Sequence, residues 1–330
     1  MNVAVHTQGN QIRKQVVQAL SKQKAVVAIA LMLIAMLFSD SNFYTQLNIM
    51  NIFRAASPNL IIAFGVTLAV ICRGCDLSVG SVMSMSGIIA ILLINNGMNM
   101  YMAMIVAALS GAVVGFINGF LVVHQKTEAF IITLGMGMLV KGIALQLTDA
   151  NPVPTSRDKA LAFMRISNGV FLGIPHIMWY MLILGAFTFW LLRFTSFGRN
   201  CYALGGDYEV AKYSGINVVR TKWIAFTLTG TYAAVAGVLL ASRMNTGSAI
   251  YGDAIPLMVN CGVVIGGTSF AGGTGGVVHS FIGIMVMQLL RNCMNGFGID
   301  PYIQQMVLGV VIVGIICMDC YAIKRKKEDV

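Results

Sequence analysis

Apolar residues along this chain gather into ten runs, at 25–38, 58–72, 79–94, 100–123, 129–147, 174–192, 223–241, 255–265, 277–290 and 303–321. The breaks between them are short, polar and often basic. Several runs fall below the ~20 residues that a helix needs to cross a bilayer upright, and weakly polar flanks supply the rest. The run at 255–265 reads as a broken or half-buried helix. Lipid offers the backbone no hydrogen-bond partner, so each spanning run is predicted to be helical. The expected fold is an all-α integral membrane protein of about ten transmembrane helices. A secretory signal competes for the first run, since Arg13, Lys14, Lys22 and Lys24 fit a basic leader. Phe38-Ser39-Asp40 is not a small-residue cleavage site, however, and the run is read as a retained helix.

Composition agrees. Of 330 residues, 57% are hydrophobic and 10% charged, against about 25% charged in an average soluble domain. Mean hydropathy is +0.79. Such a chain cannot clothe a soluble globule, which excludes a cytosolic enzyme, a secreted disulfide scaffold and a disordered chain. The seven cysteines mostly lie in or beside apolar runs and read as small buried hydrophobes.

The net charge of +10 follows membrane topology. With ten helices, Arg13, Lys14, Lys22, Lys24, Arg73, Lys126, Arg193, Arg199, Lys212, Arg220, Lys222, Lys324, Arg325, Lys326 and Lys327 share the side of the termini. Only Arg54, Arg157, Lys159, Arg165, Arg243 and Arg291 face the other side. The positive-inside rule then puts both termini in the cytoplasm. The chain divides into a cytoplasmic segment 1–24, a transmembrane domain 25–321 and a basic tail 322–330. A periplasmic loop 148–173 and a cytoplasmic loop 193–222 are long enough to carry structure of their own.

No phosphate-binding G-x-x-x-x-G-K-[ST] occurs, nor H-E-x-x-H. Histidines 6, 124, 176 and 279 are scattered, and neither Cys72-x-x-Cys75 nor Cys317-x-x-Cys320 has a second pair or histidine nearby, so no catalytic or metal set is expected. Inside the spans charge is sparse. Lys141 sits well within a run, about 9 Å from its outer end, where it reads as an anchor that snorkels. A path without fixed charge suits a neutral polar solute better than proton coupling. Gly111, Gly115 and Gly119 share one helix face, for packing within the bundle or against a second copy.

Three segments look mechanical. Arg73-Gly74-Cys75-Asp76-Leu77-Ser78-Val79-Gly80-Ser81 breaks an apolar region, with Asp76 and Ser78 placed to cap the next helix. It reads either as a helix start lining a cavity or as a capped turn at the cytoplasmic edge. The glycine-rich stretch 263–276, containing Gly266, Gly267, Thr268 and Ser269, breaks the chain at the corresponding place in the other half, which hints at two pseudo-repeated helix sets. In the cytoplasmic loop, Gly205-Gly206 leads to Asp207, a good N-cap, and Tyr208–Tyr213 is predicted to form a short helix ended by Ser214-Gly215. That helix is either a knob for a soluble partner or an amphipathic turn against lipid headgroups.

CDLSVGSV, AFIITLG, FGRNCYALGGDYEVAKYSGINVVRTK, ASR and VVIGGTSFAGGTGG occur in this order. Together they resemble the permease subunits of bacterial ABC importers for simple sugars, the ribose/xylose/arabinose group, over about residues 48–319. The resemblance implies a homodimeric or heterodimeric permease core in the bacterial inner membrane. Two ATPase domains on a separate polypeptide bind ATP and Mg, with no cofactor on this chain. A periplasmic sugar-binding protein docks outside. The function implied is a translocation path for a neutral monosaccharide, or related sugar or polyol, switched between faces by those ATPases. Gly205, Gly206, Asp207, Glu209, Ala211 and Gly215 fall on the family's coupling-helix motif. Asp207 replaces the usual Asn and Val210 an Ala, and both keep a capped helix. Met258 stands where an Asp is common, Asn260-Cys261-Gly262 replaces a small apolar stretch, and Lys141 stands where Arg is usual. Asp76, Ser78 and Ser81, with Gly266–Ser269, are expected to shape the inner gate, and Asn118 and Thr133 to be polar path groups. Arg157, Lys159 and Arg165 either receive acidic residues of the binding protein or are solvated loop charge. The alternative is a stand-alone secondary carrier or facilitator.

Overall fold

The computed structural model of the protein describes residues 44–125 and 127–328. The first apolar run, the segment 1–24, Lys126 and the last two residues lie outside them. Twelve helices are described: α1 Gln46–Ile71, α2 Val79–Asn95, α3 Met100–His124, α4 Ala129–Thr148, α5 Arg157–Asn168, α6 His176–Phe194, α7 Ser196–Gly206, α8 Tyr208–Tyr213, α9 Val218–Met244, α10 Ile255–Ile265, α11 Val277–Gly296 and α12 Pro301–Glu328. Four two-residue strands form two antiparallel ladders, β1 Val153–Pro154 with β4 Thr246–Gly247, and β2 Val170–Phe171 with β3 Ile174–Pro175.

Nine of the ten predicted runs correspond to described helices. Six of these (α1, α3, α4, α6, α9 and α11) are long and apolar enough to cross a membrane. Helix α1 begins at Gln46, twelve positions before the predicted run, because the polar start is capped by Thr45, whose hydroxyl accepts from Asn48 N, and because the helix runs through Pro58. The short run is confirmed as α10, eleven residues or about 16 Å, roughly half a span.

Helix α9 is the axis of the bundle, packed against α1, α2 and α3. The Gly111, Gly115 and Gly119 face lies on it: a Cβ at Gly115 would stand 2.4 Å from Phe226 O, and one at Gly119 2.7 Å from the Trp223 ring. These glycines therefore form a seam inside the chain. Helix α1 is enclosed on all sides, with 89% of its most apolar window buried, while α4 presents most of its surface outward, with 22% buried.

The loop 148–173 carries α5, which lies over the C-terminal end of α9 through Ser242 Oγ→Phe163 O at 2.6 Å and Ser167 Oγ→Leu239 O at 2.7 Å. The opposite loop carries α7 and α8, each started by a side-chain cap, Thr195 to Gly198 N and Asp207 to Val210 N at 3.0 Å.

Candidate functional site

The connection 72–78 does not sit at a helix edge. Leu77 N donates to Thr133 Oγ1 at 3.1 Å, and that hydroxyl is also within 3.1 Å of Cys75 O. A Cβ at Gly137, the ninth of twenty residues of α4, would stand 3.4 Å from Leu77 O and 3.7 Å from Ser81 Oγ. The turn thus lies against α4 between Thr133 and Gly137. Asp76 does not cap α2 as expected. Its Oδ1 accepts from Ser78 N at 2.8 Å and Ser78 Oγ at 2.6 Å, which closes the turn itself, and Ser78 makes no cap bond to α2.

Around this turn, polar side chains from three more helices converge. Asn118 of α3 donates to Ser78 Oγ at 2.8 Å, Thr133 comes from α4, and Asn260 of α10 donates to Asp76 O at 3.0 Å and Pro256 O at 2.8 Å. Asp76, Asn118 and Thr133 are wholly buried. Two oxygens, Asp76 Oδ2 and Asn118 Oδ1, have no hydrogen-bond partner among the described residues. Ser81 is half-buried at the edge of the cluster. Backbone broken inside a membrane is tolerated only against protein or water, and this cluster supplies the protein side. Asn260 was legible only as a departure from a family pattern, although an amide inside an apolar half-helix was itself a signal.

The glycine-rich loop is elsewhere. Gly266 abuts the backbone of His279 on α11, Thr268 is buried, and Ser269 Oγ accepts from Ala271 N at 3.2 Å. Among the described residues no hydrogen bond joins Gly266–Ser269 to Asp76, Ser78 or Ser81. The residues expected to shape the gate thus come from two segments, the turn before α2 and the loop after α10.

The glycine loop instead meets the α7–α8 segment. Arg73, just past α1 and with φ +56°, sends Nε to Gly205 O at 2.9 Å and a terminal nitrogen to Gly206 O at 2.6 Å. Gly273 N donates to Ile71 O at 3.0 Å, and Tyr202 OH donates to Gly275 O at 2.9 Å. Burial, then the neighbouring Cys201 thiol, raise the Tyr202 phenol, which keeps it a neutral donor. A Cβ at Gly205 would stand 1.9 Å from Ile71 O and 2.2 Å from Gly273 N, so glycine is required for this three-way contact. Arg73 was named in the motif but not as a clamp. Beyond it, Ala211 turns inward, while Glu209 is exposed beside Tyr208, Val210 and Tyr213, an apolar and acidic outward face. Gly215 has φ +80° at the end of α8.

Arg157 and Arg165 are exposed on α5, whereas Lys159 is held by Ile94 O at 2.7 Å. The structure thus separates the three, leaving Lys159 a fastening between α5 and α2. Arg54, not singled out in the sequence, has a buried Nε with no partner among the described residues, and Arg243 reaches Arg54 O at 3.3 Å. A cavity of ≈ 690 Å³, walled by Met104, Ile183, Leu184 and Val238, opens beside Arg165, and no residue of the polar turn lines it.

A helical bundle with six spans long and apolar enough to cross a membrane, an interior polar turn and a capped helix fastened to it has the architecture of a multi-pass membrane protein. Comparison makes this specific: the chain belongs to the family described as branched-chain amino acid transport system / permease component, which matches residues 48–316. It is similar to the ribose import permease protein RbsC of Haemophilus influenzae, 34% identical over 313 residues that make up 94% of this chain and 97% of that one. The ribose import permease of Escherichia coli K12 is 34% identical over 301 residues, 91% of this chain and 94% of its own. The L-arabinose transport system permease protein AraH of the same strain is 32% identical over 302 residues, 92% and 91% of the two chains. No solved structure matches the chain.

Proposed function

We propose that this chain is the permease subunit of an ATP-driven importer in the bacterial inner membrane, carrying a neutral monosaccharide or related polyol. Its relatives are sugar import permeases along nearly their whole length. The observation that carries the coupling is the fastening of α7–α8 to the membrane core through Arg73, Gly205 and Gly273. A force applied to α8 by a partner passes directly into the end of α1 and the loop after α10.

In this reading about ten helices cross the membrane with both termini in the cytoplasm, and two such subunits form the core. The segment 193–222 is the coupling loop, 148–173 the periplasmic loop and 322–330 a basic tail. Gly205, Gly206, Asp207, Glu209, Ala211 and Gly215 engage a separate ATPase subunit, which binds ATP and Mg. The turn of Asp76, Ser78 and Ser81 with Asn118 and Thr133 flanks the path, and Gly266, Gly267, Thr268 and Ser269 form the hinge that follows the coupling loop. Arg157 and Arg165 meet a periplasmic sugar-binding protein. The half-helices around the turn supply the bistable pair that alternating access requires.

The test is reconstitution in proteoliposomes. Uptake of ribose, L-arabinose or galactose is expected only with ATPase subunit, binding protein and ATP all present. Uptake by this chain alone would establish the stand-alone carrier instead.

A further inference from the structure

Among the described residues one ion pair occurs, Lys141 Nζ to Asp253 Oδ1 at 2.7 Å, and its side chains are 37% and 49% exposed. Its depth is unusual. Helix α4 has twenty residues and Lys141 is the thirteenth. At 1.5 Å per residue the helix is about 30 Å long, the thickness of the hydrocarbon core, and Lys141 lies only about 4 Å from its midpoint. Lys141, expected from sequence as a snorkelling anchor, has its ammonium on the Asp253 carboxylate.

Charges within spanning segments almost always face water or protein and pair with one another. The pair is also fixed in place. Asp253 follows Gly252, whose backbone crosses α2 at Gly80 so closely that a Cβ on either glycine would stand about 2 Å from the other's carbonyl oxygen. Gly252 N also donates to Ser84 Oγ at 2.9 Å. Lys141 is one helical turn beyond Gly137, on the same face of α4 that touches the Asp76–Ser81 turn. Gly142, its neighbour, has open space beside it. The pair is therefore the exposed edge of a polar belt whose buried part is the Asp76–Ser81 turn.

Its remaining capacity is specific. The ammonium has donors beyond the one used, and the carboxylate has an unengaged oxygen and spare lone pairs. A donor and an acceptor 2.7 Å apart match two neighbouring hydroxyls of one ring, the first accepting from Lys141 and the second donating to Asp253. We propose that Lys141 and Asp253 read a vicinal diol of the passing solute, as the specificity pair of the path. This rests on the permease reading above.

The experiment uses the complete complex in proteoliposomes with ribose, L-arabinose and galactose. Variants are Asp253→Asn, Lys141→Met, Lys141→Arg and the exchanged pair Lys141→Asp with Asp253→Lys. Loss of a charged hydrogen bond to the solute predicts that uptake falls about tenfold or more in Asp253→Asn and Lys141→Met. ATPase activity stimulated by the loaded binding protein and the subunit stoichiometry stay as in wild type. Lys141→Arg keeps uptake, and the exchanged pair alters the ranking of the three sugars. Unchanged uptake and ranking in all four would overturn the assignment. So would loss of the assembled core, which would make the pair a seam between two copies. A wild-type complex that carries none of the sugars would instead refute the permease reading.

Discussion

Asp76 shows how much one side chain does when water is scarce. Its Oδ1 closes the turn, its carbonyl accepts from Asn260, and its neighbours Cys75 and Leu77 engage Thr133. Interhelical hydrogen bonds in membranes are worth about 0.6 kcal/mol on average and up to about 1.7. Asn260→Leu removes the amide that holds the Asp76 carbonyl. It is expected to lower stability by an amount in that range, read as a drop in the detergent melting temperature, and to slow uptake more than the melting shift alone accounts for. Thr133→Val tests the opposite side of the turn. It removes the acceptor for Leu77 N while keeping the volume, and melting should fall by a comparable step. The importance of Asp76, Ser78, Asn118 and Thr133 was legible because polar residues in apolar runs are few. Their mutual geometry was not, since it depends on where α3, α4 and α10 pass one another. Arg54 was missed for the same reason: a buried polar atom is visible only once its burial is.

Among the elements, the coupling segment was the most legible. Asp207 and Ser214-Gly215 bracket a six-residue helix by local chemistry alone, and α8 has those limits. What sequence could not disclose was the clamp beneath it, because Arg73 lies 132 residues from Gly205. Arg73→Ala should leave basal ATPase intact but reduce uptake in the reconstituted complex severalfold. Arg73→Lys should be nearly as impaired, since an ammonium does not reproduce the guanidinium fork that spans two carbonyls. Equal uptake in both variants and wild type would remove Arg73 from the transmission. Glu209→Lys probes the outer side of the same element. It reverses an exposed charge with no packing role, so melting should not change while pull-down of the ATPase subunit weakens. Helix limits were missed most at α1, where a capped polar start and an interior proline carried the helix well past the apolar run, and at the C-terminal ends of α11 and α12, which continue into polar residues.

At the scale of the whole molecule, the asymmetry of lysine and arginine makes a topological prediction. A cysteine placed at Glu209 should react with a membrane-impermeant maleimide only from the cytoplasmic side, and one at Arg157 only from the periplasmic side. The reverse labelling would invert the permease. Fold class and the number of apolar runs were legible because a bilayer permits few solutions. Which run lies at the centre was not, since hydropathy alone does not distinguish a lipid-facing helix from an enclosed one.

The enclosure of α1 has a consequence for biogenesis. This helix leaves the ribosome early, yet the α9 and α11 surfaces that cover it are synthesised much later. Until then Ser57, Asn59 and Thr67, all buried in the finished bundle, have no permanent neighbours. A nascent chain arrested before α9 should remain bound to the insertion machinery or be degraded, whereas one arrested after α11 should be released and persist.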